Sequence, residues 1–161
     1  MTITKGAFGL FVIAVTSVIA VSQAFAGAAG NGFSGERVTI PSAKSYDQVT
    51  AAVKSLVAKN GMMVMAEVDQ GKMLSMTGLT LKATLFLVGN PTVGKQLFEQ
   101  NRGIGLYVPL RVFVYSDEQS KTFVAYDRPS SLLGQFQNEK IGMVGKMLDE
   151  KLDGLATMAA K

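Results

Sequence analysis

The 161-residue chain contains no cysteine, no histidine and no tryptophan. Without Cys there are no disulfides, no thiol nucleophiles and no thiolate zinc sites. Without His the commonest metal ligand, the commonest general base and the usual pH switch are all missing. Catalysis would have to rest on carboxylates, Lys, Tyr or Ser/Thr, and no catalytic residue or cofactor is expected. Charge is also sparse. Lys and Arg number 16 against 12 Asp and Glu, a net of +4. That excess, without clustering, does not argue for nucleic acid. The length allows one domain.

Hydrophobic length is present at the start. Lys5 precedes an uncharged run from Gly6 to Val21, and Ala24-Phe25-Ala26 follows with small residues where a signal peptidase reads. A spanning helix needs about 20 apolar residues, and this core is shorter and interrupted by Gly9. The layout predicts a signal peptide over 1–26, cleaved after Ala26, a flexible Gly- and Ala-rich lead over 27–35, and one domain over 36–161. The mature chain would be 161 − 26 = 135 residues. The expected location is the periplasm or the exterior, with membrane contact only through the uncleaved signal peptide.

Within the domain, Arg37 to Ile40 alternates and ends at Pro41, as a short strand does. Ser45 is placed to cap a helix whose apolar residues Tyr46, Val49, Val53, Leu56 and Val57 recur at helical spacing, ending at Asn60-Gly61. Met62, Val64, Ala66 and Val68 share one parity, which predicts a strand with one apolar face. Lys72 to Thr77 suits a turn or two of helix. Ala83 to Val88 is almost wholly apolar and predicts an interior strand. Asn90 and Pro91 then suit the cap and first position of a helix. Leu110 to Tyr115 and Thr122 to Tyr126 read as a hairpin. A short helix follows Pro129, and a last amphipathic helix carries Ile141, Val144, Leu148, Leu152 and Leu155. Its charged residues, Asp149 and Asp153 included, read as a solvated face. The order β-α-β-(short α)-β-α-β-β-α predicts an α+β fold, a mainly antiparallel sheet with helices on one face.

Three segments together carry a resemblance: Gly89-Asn90-Pro91 with Gly94, Val108-Pro109-Leu110-Arg111, and Tyr126-Asp127-Arg128-Pro129. The chain resembles the domain-of-unknown-function 302 family over roughly residues 36–136. The resemblance implies a compact α+β fold and dimerisation, and no activity. The chain departs from the family pattern at Gln70 and at Gly134-Gln135-Phe136, where members often carry His. It also lacks the Cys that some branches hold in the Leu-Pro and Gly-x-x-Pro segments.

Several motifs invite sharper readings. Gly89 to Lys95 has the Gly-x4-Gly-Lys spacing of a phosphate loop, but Gln96 replaces the metal-binding Ser/Thr and Pro91 removes a donor. Met63, Met65, Met73 and Met76, within the Met62–Met76 cluster, are soft ligands suited to Cu(I). They equally suit an adaptable apolar surface. Glu67 and Asp69, two apart on a strand, form a possible acid pair or an exposed polar edge. Arg111 and Asp127 suit a cross-strand ion pair, with Tyr126 beside them lining a pocket. The expected ligand-binding residues are Asn90, Gly94, Lys95, Arg111, Tyr126 and Asp127. The expected function is a non-enzymatic exported homodimer that binds a small ligand or a protein. The alternative is a periplasmic copper or stress protein using the methionines.

Overall fold

A computed structural model describes residue 2 and residues 35–161 of the chain. The expected signal peptide, its cleavage site and nearly all of the lead lie outside the described residues.

The domain is a five-stranded sheet with every neighbouring pair antiparallel, in the order β1-β5-β4-β3-β2. The strands are β1 (Arg37–Ser42), β2 (Met63–Asp69), β3 (Ala83–Gly89), β4 (Leu110–Ser116) and β5 (Thr122–Asp127). The helices are α1 (Tyr46–Lys59), α2 (Gln70–Ser75), α3 (Pro91–Gln100), α4 (Pro129–Leu133) and α5 (Glu139–Ala160). The α+β expectation and its element order hold. β3 sits inside the sheet, as its apolar run requires.

The helix starts follow from their caps. The Ser45 side chain accepts from the Gln48 N–H while Gln48 reaches back to the Ser45 N–H, a reciprocal capping box on α1. Asn138 caps α5 by accepting from the Ile141 N–H at 3.1 Å. The chain leaves α1 through Gly61 at φ +68°, a conformation that costs glycine little.

One face of the sheet is packed. Phe86, Val88, Val112, Val114 and Val124 lie fully buried against Val49, Val53 and Val57 of α1 and Ile141, Leu152 and Leu155 of α5. Gly145 lets α5 approach α4 closely. A Cβ there would stand 2.9 Å from the Ser130 Cα. The end of α5 is tied to β1 by the buried Ser42 hydroxyl, which donates to the Ala160 carbonyl at 2.6 Å. That carbonyl belongs to the last turn, where no helical partner exists.

β2 departs from the simple alternation its sequence suggests. Its register against β3 shifts between Val64 and Ala66, so Met65 is an extra residue in a bulge. Val64 lies opposite Val88, while Ala66 lies opposite Leu87 and Val68 opposite Leu85. Val64 therefore packs on the core, whereas Ala66 and Val68 turn to the other side. The strand does not present one apolar face, because the inserted residue reverses its parity halfway along.

Candidate functional site

The expected ligand residues fall into two separate places. Asn90, Gly94 and Lys95 line one cavity, and Arg111, Tyr126 and Asp127 belong to another.

The first place is the start of α3. Asn90 Oδ1 accepts from the Thr92 N–H at 2.8 Å and the Val93 N–H at 3.3 Å. Its Nδ2 donates to the Gly61 carbonyl at 2.7 Å, pinning the turn after α1. The Gly94 N–H donates to the Asn90 carbonyl at 2.9 Å, and Pro91 has no N–H to offer. The donors that a phosphate loop would present are thus taken up by the cap itself. Lys95 faces Glu99 at 3.7 Å as an exposed pair one turn apart. Beside this helix start lies an apolar cleft of about 320 Å³, floored by Val88, Leu97, Leu110 and Leu148. Helical spacing marked Leu148 as a helix-face residue, and Leu97 lies on α3. Only the packing of α3 and α5 over the ends of β3 and β4 makes them walls of one cleft.

The second place is on the sheet face opposite the helices. There Arg37, Arg111, Phe113, Tyr115 and Asp127 border a depression of about 380 Å³. Asp127 is not the partner of Arg111. It accepts from Arg37 Nε at 2.9 Å and Nη2 at 3.3 Å, because β1 lies directly beside β5 and places Arg37 opposite Asp127. The Asp127 hydrogen bond holds the Arg37 guanidinium pKa above its ordinary value. Arg111 makes no ion pair among the described residues. Phe113, Tyr115 and Phe123 stack in a row, with ring centroids 5.1 and 5.2 Å apart. Arg37 was missed as a site residue because its partner lies 90 positions away.

Tyr126 takes another role. Its ring is part of the core, 3% exposed, and its hydroxyl donates to Asp153 of α5. Burial, then that hydrogen bond, raises the phenol pKa well above its ordinary value. Arg128 donates to Asp153 Oδ2 at 2.7 Å and to Glu36 Oε1 at 2.9 Å. Burial pushes the Asp153 carboxyl up, but the hydrogen bonds from Tyr126 and Arg128 and the charge of Arg128 outweigh it. The acid is held below its ordinary value. One turn earlier, Asp149 accepts from the Ser130 N–H at 2.9 Å and from its hydroxyl. These two acids of α5 are therefore anchors to β5 and α4, not members of a solvated face. Their spacing of four put them on one side of the helix. Nothing in that spacing revealed what the side would meet.

Glu67 and Asp69 do not act as a pair. Glu67 binds Lys54 of α1 at 2.7 Å, and Asp69 caps α2 by accepting from the Lys72 N–H at 2.8 Å. Met63 and Met65 stand on β2, while Met73 is in α2 and Met76 follows it. Met63 and the start of α2 are separated by the length of β2, about 20 Å at ~3.3 Å per residue. No group of three or more acidic residues is disposed to hold a metal among the described residues.

The fold and sequence have counterparts. The chain is 34% identical over 91 residues to fluoride-specific ion channel FluC 1 of Brucella suis biovar 1, covering 56% of this chain and 34% of that protein. FluC 1 of Brucella abortus and FluC 2 of Brucella melitensis match at the same identity over 91 residues, 32% of each. The chain thus spans about a third of the length of these curated relatives. A crystal structure of an uncharacterized conserved protein from Bacillus stearothermophilus has the same fold. Its TM-score is 0.71 at 14% identity, over 78% of this chain and 98% of that one. That protein is described as DUF302, and residues 38–159 here match the same family, domain of unknown function DUF302, to which the chain belongs.

Proposed function

We propose that this is an exported, non-enzymatic binding domain that pairs with a second copy of itself through the open face of its sheet. The observation that carries this reading is the composition of that face. Leu85 and Leu87 of β3, Phe113 and Tyr115 of β4, and Phe123 of β5 are only half-buried there; α2 touches β3, and its Gln70 borders the depression beside Leu85 and Phe113. A continuous apolar patch on a folded domain marks an interaction surface.

Size supports the same reading. Five strands ~4.8 Å apart and about 20 Å long make a face of roughly 500 Å² in projection. Two such faces reach the ~1,000 Å² that a specific interface needs. In a two-fold arrangement the same patch serves both partners, and Arg111 of one copy is free to meet a carboxylate of the other. A stretch of 91 residues shared with longer proteins, of which it makes about a third, also fits a binding role better than a self-contained enzyme. No described helix is long and apolar enough to cross a membrane.

Native mass spectrometry of the protein recovered from outside the cytoplasm tests the reading. The expected mass is that of a dimer of residues 27–161, and Phe113→Asp should convert it to monomer without unfolding it. A chain retaining residues 1–26 overturns export with processing. A parent that is monomeric, or a dimer indifferent to Phe113→Asp, overturns the interface. A copper adduct would transfer the case to the methionines.

A further inference from the structure

We propose that the cleft beside α3 is a binding site for a small apolar molecule with one anionic end, such as a medium-chain carboxylate. The cleft holds about 320 Å³, room for roughly ten heavy atoms at the ~30 Å³ each that water occupies in the liquid. It is not a surface wrinkle. Its floor is made by Val88, Leu97, Leu110 and Leu148, which are at most 5% exposed, so a ligand there touches the core itself. Met65, 44% exposed, and Phe98, 42% exposed, stand at its mouth.

The walls specify the chemistry. Asn90 spends its side-chain oxygen on the α3 cap and its amide on Gly61. No buried side-chain polar atom among the described residues lacks a partner. The side chains of the interior therefore offer no unpaired polar group to a guest, and the lining is mostly apolar. An apolar body is the complement.

The rim specifies the end group. Among the described residues, Lys95 is the only charged one lining the cleft, and no carboxylate lines it. The pairing of Lys95 with Glu99 is a solvent-exposed contact at 3.7 Å, weak enough for an incoming anion to replace.

Gly94 strengthens the case. Within a helix, glycine is less favourable than alanine. Gly94 has no positive φ, and nothing lies within 4 Å of an added Cβ, so neither the backbone nor tight packing requires it. What its missing side chain preserves is open space along the cleft.

The test uses the full chain, labelled at the methionine methyls, with octanoate and octylamine as probes of equal chain length and opposite charge. Octanoate should shift the Met65 methyl saturably and leave the exposed Met76 and Met158 unmoved. Octylamine should bind at least fivefold more weakly, and Lys95→Glu should reverse that order. Gly94→Leu, which fills the space, should weaken octanoate tenfold or more with an unchanged melting temperature. If Gly94→Leu fails to fold, the Met65 shift and the charge comparison in the parent still decide. No saturable shift at Met65 overturns the site. Equal affinity for the two probes overturns the anionic end, and full octanoate affinity in a folded Gly94→Leu overturns the location.

Discussion

The face of the sheet beneath the helices and the face opposite it are built from alternate residues of the same strands, and both are largely apolar. On the helix side, Phe86, Val112 and Val124 are completely buried. On the other side, Leu85, Phe113 and Phe123 are only half-buried. A sheet with one wet face normally alternates apolar with polar residues. Here the charges on the wet face are the row of Arg37, Asp127 and Arg111 and, over the Phe123 ring, Lys121. The helix layer completes its own burial within one chain, whereas the open face remains half-buried among the described residues.

Neighbouring residues of β4 give the sharpest way to break this comparison. Val112→Asp should place an unpaired carboxylate among α1 and α5 side chains and cost more than ~4 kcal/mol, a large part of a typical domain's stability. Phe113→Asp should leave the folded signal in circular dichroism and the urea midpoint nearly intact. If both variants unfold, the two faces are not distinct in the way described.

The attachment of the helix layer offers a smaller effect. Asn90→Ala removes the α3 cap and the bond to Gly61, and should cost about 1–2 kcal/mol in urea unfolding. Lys95→Ala should stay within ~0.5 kcal/mol, since its pair with Glu99 is exposed. A reversal of that order would mean that the start of α3 serves its charge, not its cap.

The smallest effect concerns acid. Asp153 has a folded pKa below its ordinary value, so its contribution is present above the ordinary carboxylate range near 4 and is lost as pH falls through the lower folded value. The melting temperature should therefore drop on acidification below about pH 4. Asp153→Asn should lower it at neutral pH and flatten the acid limb. Solvent screening keeps this change modest, because the Asp153 side chain is 42% exposed. Identical acid limbs for the two proteins would show that Asp153 does not tether α5.

Much of the fold was legible along the chain. Ser45, Asn90 and Pro91 announced their helix starts because capping is settled within four residues. The run from Ala83 to Val88 announced an interior strand because both of its faces are apolar. The bulge at Met65 was not legible, since the alternation of Val64, Ala66 and Val68 looks unbroken until β3 supplies the register. The candidate site was legible only in part. Asn90, Gly94 and Lys95 do line one cleft, and Arg111 and Asp127 do border one depression. Tyr126 borders that depression too, but its ring lies in the core, and the partner of Asp127 is Arg37. In each missed case the deciding neighbour lies far away in sequence.

The sequence by itself determined what is local: the helix caps, the hairpin, the helical spacing of Val49, Val53 and Val57, and the exclusion of thiol and imidazole chemistry. Those outcomes depend on side chains within a few residues of one another, or on composition alone. Tertiary structure decided which alternate residues of each strand met the helices, which carboxylate each arginine found, and that Leu97 and Leu148 share a cleft with Lys95. Those outcomes depend on strand order and on helix placement over the sheet. Both are set by burying the whole core at once, and no short stretch of the chain contains that information.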